Sequence, residues 1–297
     1  MTDLNARVAA TLAAYVDADA ARKLGTYGLH IRLPGADPVE HRFRSDDRVN
    51  LYSVSKTFTA TALLLAESEG RLGLDDLPEY RDVAADGFAT VTIRQLLTMT
   101  SGTTHVWFAD QPIPSLDLLR DVITAPVQPH RFEYNGSGPY VAGRILHRAT
   151  GADLRAYLGP RLFEPLGIHN PAWHSCPLGF PFAESDLFTK TGELARFGAL
   201  LADDGIFQDD RILPQGFLAR LTESPAATDP ALRPDGPLGY GVGVWLREDG
   251  SVLMLGKYGQ VVIIIPQSRL VVTATAHTEA EDFLGALAEL VVEPLSR

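Results

Sequence analysis

The sequence predicts an α+β protein in which the two ends of the chain build one antiparallel sheet and the middle supplies an inserted, all-helical lobe. Three patterns carry this reading. Period-two alternation clusters before residue 45 and after residue 238. Helical periodicity dominates between them. Amphipathic helical patterns also open and close the chain, where they are placed to cover the sheet.

Leu4, Val8, Leu12 and Tyr15 fall on one helical face, so Leu4 to Ala21 reads as an amphipathic helix. Gly28 to Leu33 alternates, Pro34-Gly35-Ala36-Asp37 turns, and Val39 to Phe43 alternates again, as a hairpin does. Helical patterns then follow at Ser55 to Glu69, Thr92 to Thr98, Ser115 to Ile123, Tyr140 to Ala149, Asp153 to Leu158, Thr191 to Leu201 and Pro214 to Leu221. A proline-rich loop, Glu223 to Leu238, ends that region. Strands are expected at Gly239 to Leu246, Val252 to Leu255, Val261 to Pro266 and Leu270 to Ala276, with Arg247-Glu248-Asp249-Gly250 as an Asp-Gly turn. A last helix is expected from Thr278 to Val292. The division that follows is a sheet lobe of residues 1–52 and 237–297, a helical lobe of residues 53–236, and a site in the cleft between them.

A chain of 297 residues with 45% hydrophobic and 21% charged residues is that of a soluble globular protein, large enough for one big domain or two ordinary ones. The net charge of -11 argues against nucleic acid and anionic membranes as partners. Cys176 is the single cysteine, which excludes an internal disulfide and a cysteine-based zinc site. The histidines (His30, His41, His105, His130, His147, His169, His174 and His277) show no metal-type spacing, so no metal or cofactor is expected. The start lacks a basic segment followed by an apolar core, and the longest apolar runs are too short to span a bilayer; the expectation is a cytoplasmic protein.

Chemistry concentrates at Ser53-Val54-Ser55-Lys56, where a strand region gives way to an apolar helix. Residues three apart share a helix face, so the amine of Lys56 can lie against the hydroxyl of Ser53. A serine needs a base to become a nucleophile, and a lysine serves only with a lowered pKa. Burial at the foot of the helix, away from carboxylates, is expected to lower it. Serine is also a favoured helix N-cap, and the cap reading stands beside the catalytic one. Tyr134, before the helix that ends at Gly151, could relay a proton. Ser137, between glycines, invites a rival nucleophile claim, but no Gly-x-Ser-x-Gly elbow is present. Lys257-Tyr258-Gly259-Gln260 enters a late strand. There Lys257 could hold a substrate carboxylate, and the Gln260 N–H could pair with that of Ser53 as an oxyanion hole. Lys190-Thr191-Gly192 opens a helical pattern with Glu193 in its first turn, and is set aside as a decoy. His105 and Trp107 could equally line the cleft mouth or form a surface loop.

Taken in order, Ser53-Val54-Ser55-Lys56, Leu96-Leu97-Thr98-Met99-Thr100-Ser101-Gly102, Tyr134, Leu194-Ala195-Arg196-Phe197-Gly198 and Lys257-Tyr258-Gly259 resemble the serine β-lactamase and penicillin-binding protein superfamily. The nearest branch is the class C-like one, with its D-alanyl-D-alanine carboxypeptidases, family VIII carboxylesterases and nylon-oligomer hydrolases. The resemblance runs over residues 8 to 292 and implies a β-lactamase/transpeptidase-like fold. It implies Ser53 as acylated nucleophile, Lys56 as general base, Tyr134 as proton relay, Lys257 and Gly259 on the cleft-lining strand, and the Gln260 N–H in the oxyanion hole. Two positions depart from the family pattern. Its Tyr-x-Asn motif reads Tyr134-Asn135-Gly136, leaving Asn135 or Ser137 to substitute in part for the missing side chain. Its Lys-Thr-Gly motif carries Tyr258 at the centre. Both weaken penicillin-type recognition and fit a more apolar pocket.

The expected function is therefore a metal-independent serine hydrolase acting through acyl-Ser53 on a small ester or amide. A genuine β-lactamase or D-amino-acid peptidase is the alternative, and a non-catalytic binding protein of the same fold is the second.

Overall fold

The computed structural model describes residues 2–77, 80, 84–128, 131–228, 239–280 and 282–296. Helix α1 (Thr2–Arg22) is followed by β1 (Thr26–Arg32), β2 (Val39–Arg42) and the short β3 (Val49–Asn50). A single 3-10 turn, Tyr52–Val54, leads into α2 (Ser55–Ser68). The middle of the chain adds α3 (Ile93–Leu97), α4 (Leu118–Ile123), α5 (Ser137–Thr150), α6 (Leu154–Leu158), β4 (Ala172–Trp173), β5 (Leu187–Thr189), α7 (Thr191–Ala202), β6 (Ile206–Phe207), β7 (Asp210–Arg211) and α8 (Phe217–Thr222). Strands β8 (Ala226–Ala227), β9 (Gly239–Tyr240), β10 (Trp245–Leu246), β11 (Val252–Gly256), β12 (Gln260–Ile265) and β13 (Leu270–Ala276) precede α9 (Phe283–Leu287), a π-helical turn at Ala288–Val292 and α10 (Glu293–Ser296).

The expected joining of the two ends is present. One eight-stranded sheet runs β2-β1-β13-β12-β11-β10-β9-β8, and β1 lies antiparallel to β13 with Ile31 opposite Val272. Alternation then sorts each strand between two cores. Val262, Ile264 and Val271 face the helices of the middle segment, with Phe58, Phe163 and Phe197. Val261, Ile263 and Val272 face α1 and the C-terminal helices, with Val8, Tyr15, Phe283 and Leu287.

Two details differ from the sequence reading. Gly239 to Leu246 is not one strand but a tight hairpin, β9 against β10, in which Tyr240 pairs with Trp245. Gly243 turns it at φ 76°, a backbone state that costs a residue with a side chain, and the Gly241 N–H closes it on the Val244 carbonyl at 2.9 Å. The segment expected to be all-helical also carries strands: β4 and β5 form a three-stranded sheet with β3 of the preceding segment, β6 and β7 pair, and β8 adds an edge strand to the main sheet. The expected lobe boundary at 236/237 lies outside the described residues, as do Pro129 and His130. Among the described residues, no helix is long and apolar enough to cross a membrane.

Candidate active site

Leu51 to Lys56 is held by its backbone before any side chain reaches the cleft. The Leu51 N–H donates to the Leu187 carbonyl at 2.8 Å. Tyr52 adopts φ 46°, and its N–H donates to Asn50 Oδ1 at 2.7 Å. A non-glycine residue in that region costs free energy that the surrounding bonds must offset, and such residues gather at functional turns. Helix α2 begins without a side-chain cap, so Ser53 does not spend its hydroxyl on the helix end. Its Oγ instead lies 2.8 Å from Lys56 Nζ, as the three-residue spacing predicted.

The environment of Lys56 is the main correction to the sequence reading. It is buried, but not away from carboxylates. Nζ donates to Glu184 Oε2 at 2.6 Å and to the Glu184 carbonyl at 3.0 Å. Only 1% of the Lys56 side chain and 2% of that of Glu184 are exposed, so water does not screen the pair. Burial alone pulls the Lys56 pKa down, but the Glu184 carboxylate and Tyr134 outweigh it, and the ammonium is held above its ordinary range. Glu184 Oε1 accepts from the Ala109 N–H at 2.6 Å, which fixes the carboxylate from its far side. Glu184 escaped the sequence reading because it stands in a loop with no periodic pattern, 128 residues from its partner. Its neighbours Ala183 and Asp186 have φ 65°, a loop geometry that alternation does not announce.

Tyr134 joins this pair. Its ring centroid is 4.9 Å from Lys56 Nζ and stacks at 5.1 Å on Trp245. On its other sides it meets Phe108 at 6.2 Å and Tyr240 at 5.6 Å. The buried Tyr240 hydroxyl is raised well above its usual pKa, first by burial and then by the acidic groups Tyr134 and Glu184, and it hydrogen-bonds to Tyr134. Tyr52, Ser53, Phe108, Tyr134, Glu184 and Trp245 share the wall of a cleft of about 480 Å³ with Asp110 and Lys257.

The remaining expected residues divide. Lys257 and Gly259 line the cleft, but on the turn between β11 and β12 rather than on a strand. Lys257 Nζ donates to Asp110 Oδ2 at 2.9 Å; that bond, with Tyr258 beside it, raises the ammonium pKa. A substrate carboxylate must therefore compete with Asp110. Tyr258 turns its ring onto His277, with centroids 4.6 Å apart, and is not part of the cleft wall. Gln260 is buried with Nε2 on the Ala276 carbonyl at 2.6 Å, which leaves only its backbone for the site.

Asn135 and Ser137 do not substitute for the side chain missing at Gly136. Asn135 Oδ1 accepts from the Gly138 N–H at 2.8 Å and its Nδ2 donates to the Glu133 carbonyl at 2.7 Å, both away from the cleft. Ser137 is buried with Oγ 3.2 Å from His105 Nδ1. Trp107 is buried against Phe182, so neither His105 nor Trp107 lines the cleft; Phe108, Asp110 and Gln111 supply that wall. Lys190 precedes α7 as expected, and its N–H donates to Glu193 Oε2 at 2.9 Å. Cys176 is buried and accepts from the Tyr140 hydroxyl at 3.2 Å. Among the described residues, no group of three or more His, Cys, Asp or Glu side chains is placed to share a metal ion.

Residues 7–293 match the beta-lactamase family. The chain belongs to this family. It is 30% identical to esterase EstB of Burkholderia gladioli over 228 residues, which is 67% of this chain and 55% of the relative. It is 32% identical to penicillin-binding protein 4 of Amycolatopsis lactamdurans over 171 residues, 54% of this chain and 43% of the relative. The chain thus spans about half the length of these curated relatives. The D-amino acid amidase of Ochrobactrum anthropi SV3 superposes with a TM-score of 0.75 at 20% identity, over 99% of both chains. That likeness gives a beta-lactamase-family chain its β-lactamase/transpeptidase-like fold of helices on an antiparallel sheet.

Proposed function

We propose that the chain is a serine hydrolase of small esters or amides, working through an acyl-enzyme on Ser53, with carboxylesterase or amidase activity favoured over penicillin turnover. The observation that carries the reading is the half-buried Ser53 Oγ, 2.8 Å from Lys56 Nζ, at the wall of a cleft large enough for a small substrate. Ser53 Oγ attacks the carbonyl carbon while its proton leaves through Lys56. Tyr134 carries a proton to the departing alcohol or amine and then draws one from the water that releases the acyl group. The Ser53 and Gln260 N–H groups receive the oxyanion. The similarity to an esterase supports this choice. So do the Phe108, Tyr134 and Trp245 walls, which offer apolar surface, and Lys257, for which a substrate carboxylate must compete with Asp110.

Two measurements test it. A fluorophosphonate probe is expected to label the wild-type chain and not Ser53→Ala; equal labelling of both overturns the acyl-enzyme, and no labelling of either favours a binding protein. Short p-nitrophenyl esters are expected to turn over faster than a chromogenic cephalosporin. The reverse order makes the chain a β-lactamase.

A further inference from the structure

We propose that Glu184 governs the proton at this site: it holds Lys56 as an ammonium at rest, and takes the proton Lys56 sheds when Lys56 accepts the one from Ser53. This rests on the hydrolase reading above and deepens it.

Lys56 has three N–H donors, which go to Ser53 Oγ, the Glu184 carbonyl and Glu184 Oε2, and the Tyr134 hydroxyl is a fourth polar neighbour. The ammonium therefore gives a hydrogen bond to Ser53 and has no lone pair to take one. Before it can act as a base it must lose a proton, and the carboxylate at 2.6 Å is the acceptor already in contact. The step balances. The Ser53 O–H breaks as a Lys56 N–H forms; another Lys56 N–H breaks as an Oε2–H forms on Glu184. The Ser53 electron pair joins the carbonyl carbon, and the carbonyl π pair becomes the oxyanion. Lys56 stays positive beside that oxyanion throughout, and Glu184 becomes neutral. The proton returns along the same pair when the leaving group departs.

The sequence makes room for this carboxylate. A Cβ placed on Gly136 meets the Trp107 carbonyl oxygen at 2.5 Å and Glu184 Cγ and Cδ at 2.8 and 2.9 Å. The space that a side chain at 136 would take is filled by Glu184 from the opposite wall. Gly136 and Glu184 are thus one feature: the glycine in one loop leaves the space that the carboxylate from another fills.

Other charged and titratable groups face the pair. Tyr134 and Tyr240 lie against it, Asp186 is engaged by Asn50 Nδ2 at 2.5 Å, and Asp110 and Lys257 pair at the cleft mouth. None supplies a second carboxylate to Lys56. Glu184 acts through Lys56 and not on the substrate, so it is a positioning residue whose signature is a pH profile.

The test is kcat/KM for a p-nitrophenyl ester against pH in the wild type, Glu184→Gln and Glu184→Asp. In the wild type, the acidic limb belongs to the Lys56–Glu184 pair. With glutamine the base is Lys56 alone, so the acidic limb is expected to move up by about one pH unit or more, with activity at pH 7 falling about tenfold or more. Aspartate keeps the charge, so its limb stays where the wild-type limb lies, at reduced height. A Glu184→Gln limb coincident with the wild type, at any height, overturns the proposal. The Lys56 side-chain nitrogen resonance, assigned with Lys56→Arg, reads the same charge without turnover, and its titration midpoint is expected to fall in Glu184→Gln. An unchanged midpoint in an enzyme that hydrolyses ester overturns the proposal alone. A chain that takes neither ester nor fluorophosphonate overturns the hydrolase reading, and the proposal falls with it.

Discussion

Tyr134 separates packing from chemistry within one side chain. Its ring is packed between Trp245 and Phe108, while its hydroxyl reaches Lys56 and the buried Tyr240. Replacing it with phenylalanine keeps the ring and deletes the hydroxyl proposed above as the proton carrier. For Tyr134→Phe, kcat/KM is expected to fall by about 10² to 10⁴, and urea unfolding to show a loss of about 1 kcal/mol from the missing hydrogen bond. A variant with unchanged kcat/KM would remove Tyr134 from the proton path. The meeting of Ser53 with Lys56 was legible in the sequence for a physical reason, and Tyr134 was singled out by its place in the motif order. Ser53 and Lys56 are joined by the helix repeat, and Tyr134 stands at a helix entry. Glu184 was not legible, because nothing local ties residue 184 to residue 56. Its one trace was negative, the glycine at 136, and only the folded chain shows what fills that space.

Between elements, the same contrast holds. Strands β1, β11, β12 and β13 and helices α1, α2 and α7 stand close to where the sequence pattern placed them; β11 to β13 bury both faces between the two cores, and α2 is buried on every side from Ser55 to Ala66. The hairpin of β9 and β10 was misread as a strand because glycine at 241 and 243 breaks the backbone without breaking the apolar alternation of Tyr240, Val242 and Val244. One inter-element contact has a measurable consequence. His30 of β1 lies beside Arg196 of α7, and its Nδ1 is buried without a hydrogen-bond partner. Burial first, then the charges of Arg196 and Arg32, lower its pKa from 6.5 to about 4. Between those values the unfolded chain binds a proton that the native ring refuses. The stability His30 contributes is therefore full above pH 6.5 and is lost as pH falls toward 4. Chemical denaturation is expected to show a decline of up to about 3 kcal/mol across that window. The decline is expected to flatten in His30→Asn, and parallel slopes in the two proteins would exclude this histidine as its source.

For the molecule as a whole, the decisive fact is that the sheet belongs to both cores. Val262, Ile264 and Val271 close the core of the middle helices, while Val261, Ile263 and Val272, their immediate neighbours, close the core under α1 and α9. Neither layer can lose its packing without exposing the strands that seal the other. The β1–β13 pairing joins residues more than two hundred positions apart, so the sheet itself forms only when both ends of the chain are in place. Chains of this size often unfold through intermediates, lobe by lobe. Here the shared strands favour one cooperative transition. Trp107 and Trp173 report on the helical core and Trp245 on the other. Urea curves from single-tryptophan variants are therefore expected to coincide with each other and with far-UV circular dichroism. A fragment of residues 53–236 lacks Met254, Val262, Ile264 and Val271, which close its core, and is expected to lose near-UV circular dichroism. Separated transitions, or a fragment with a native near-UV spectrum, would show two independently folding units. The site would then sit at a hinge between them, rather than on the single packed frame that keeps Ser53, Lys56 and Glu184 within 3 Å contacts.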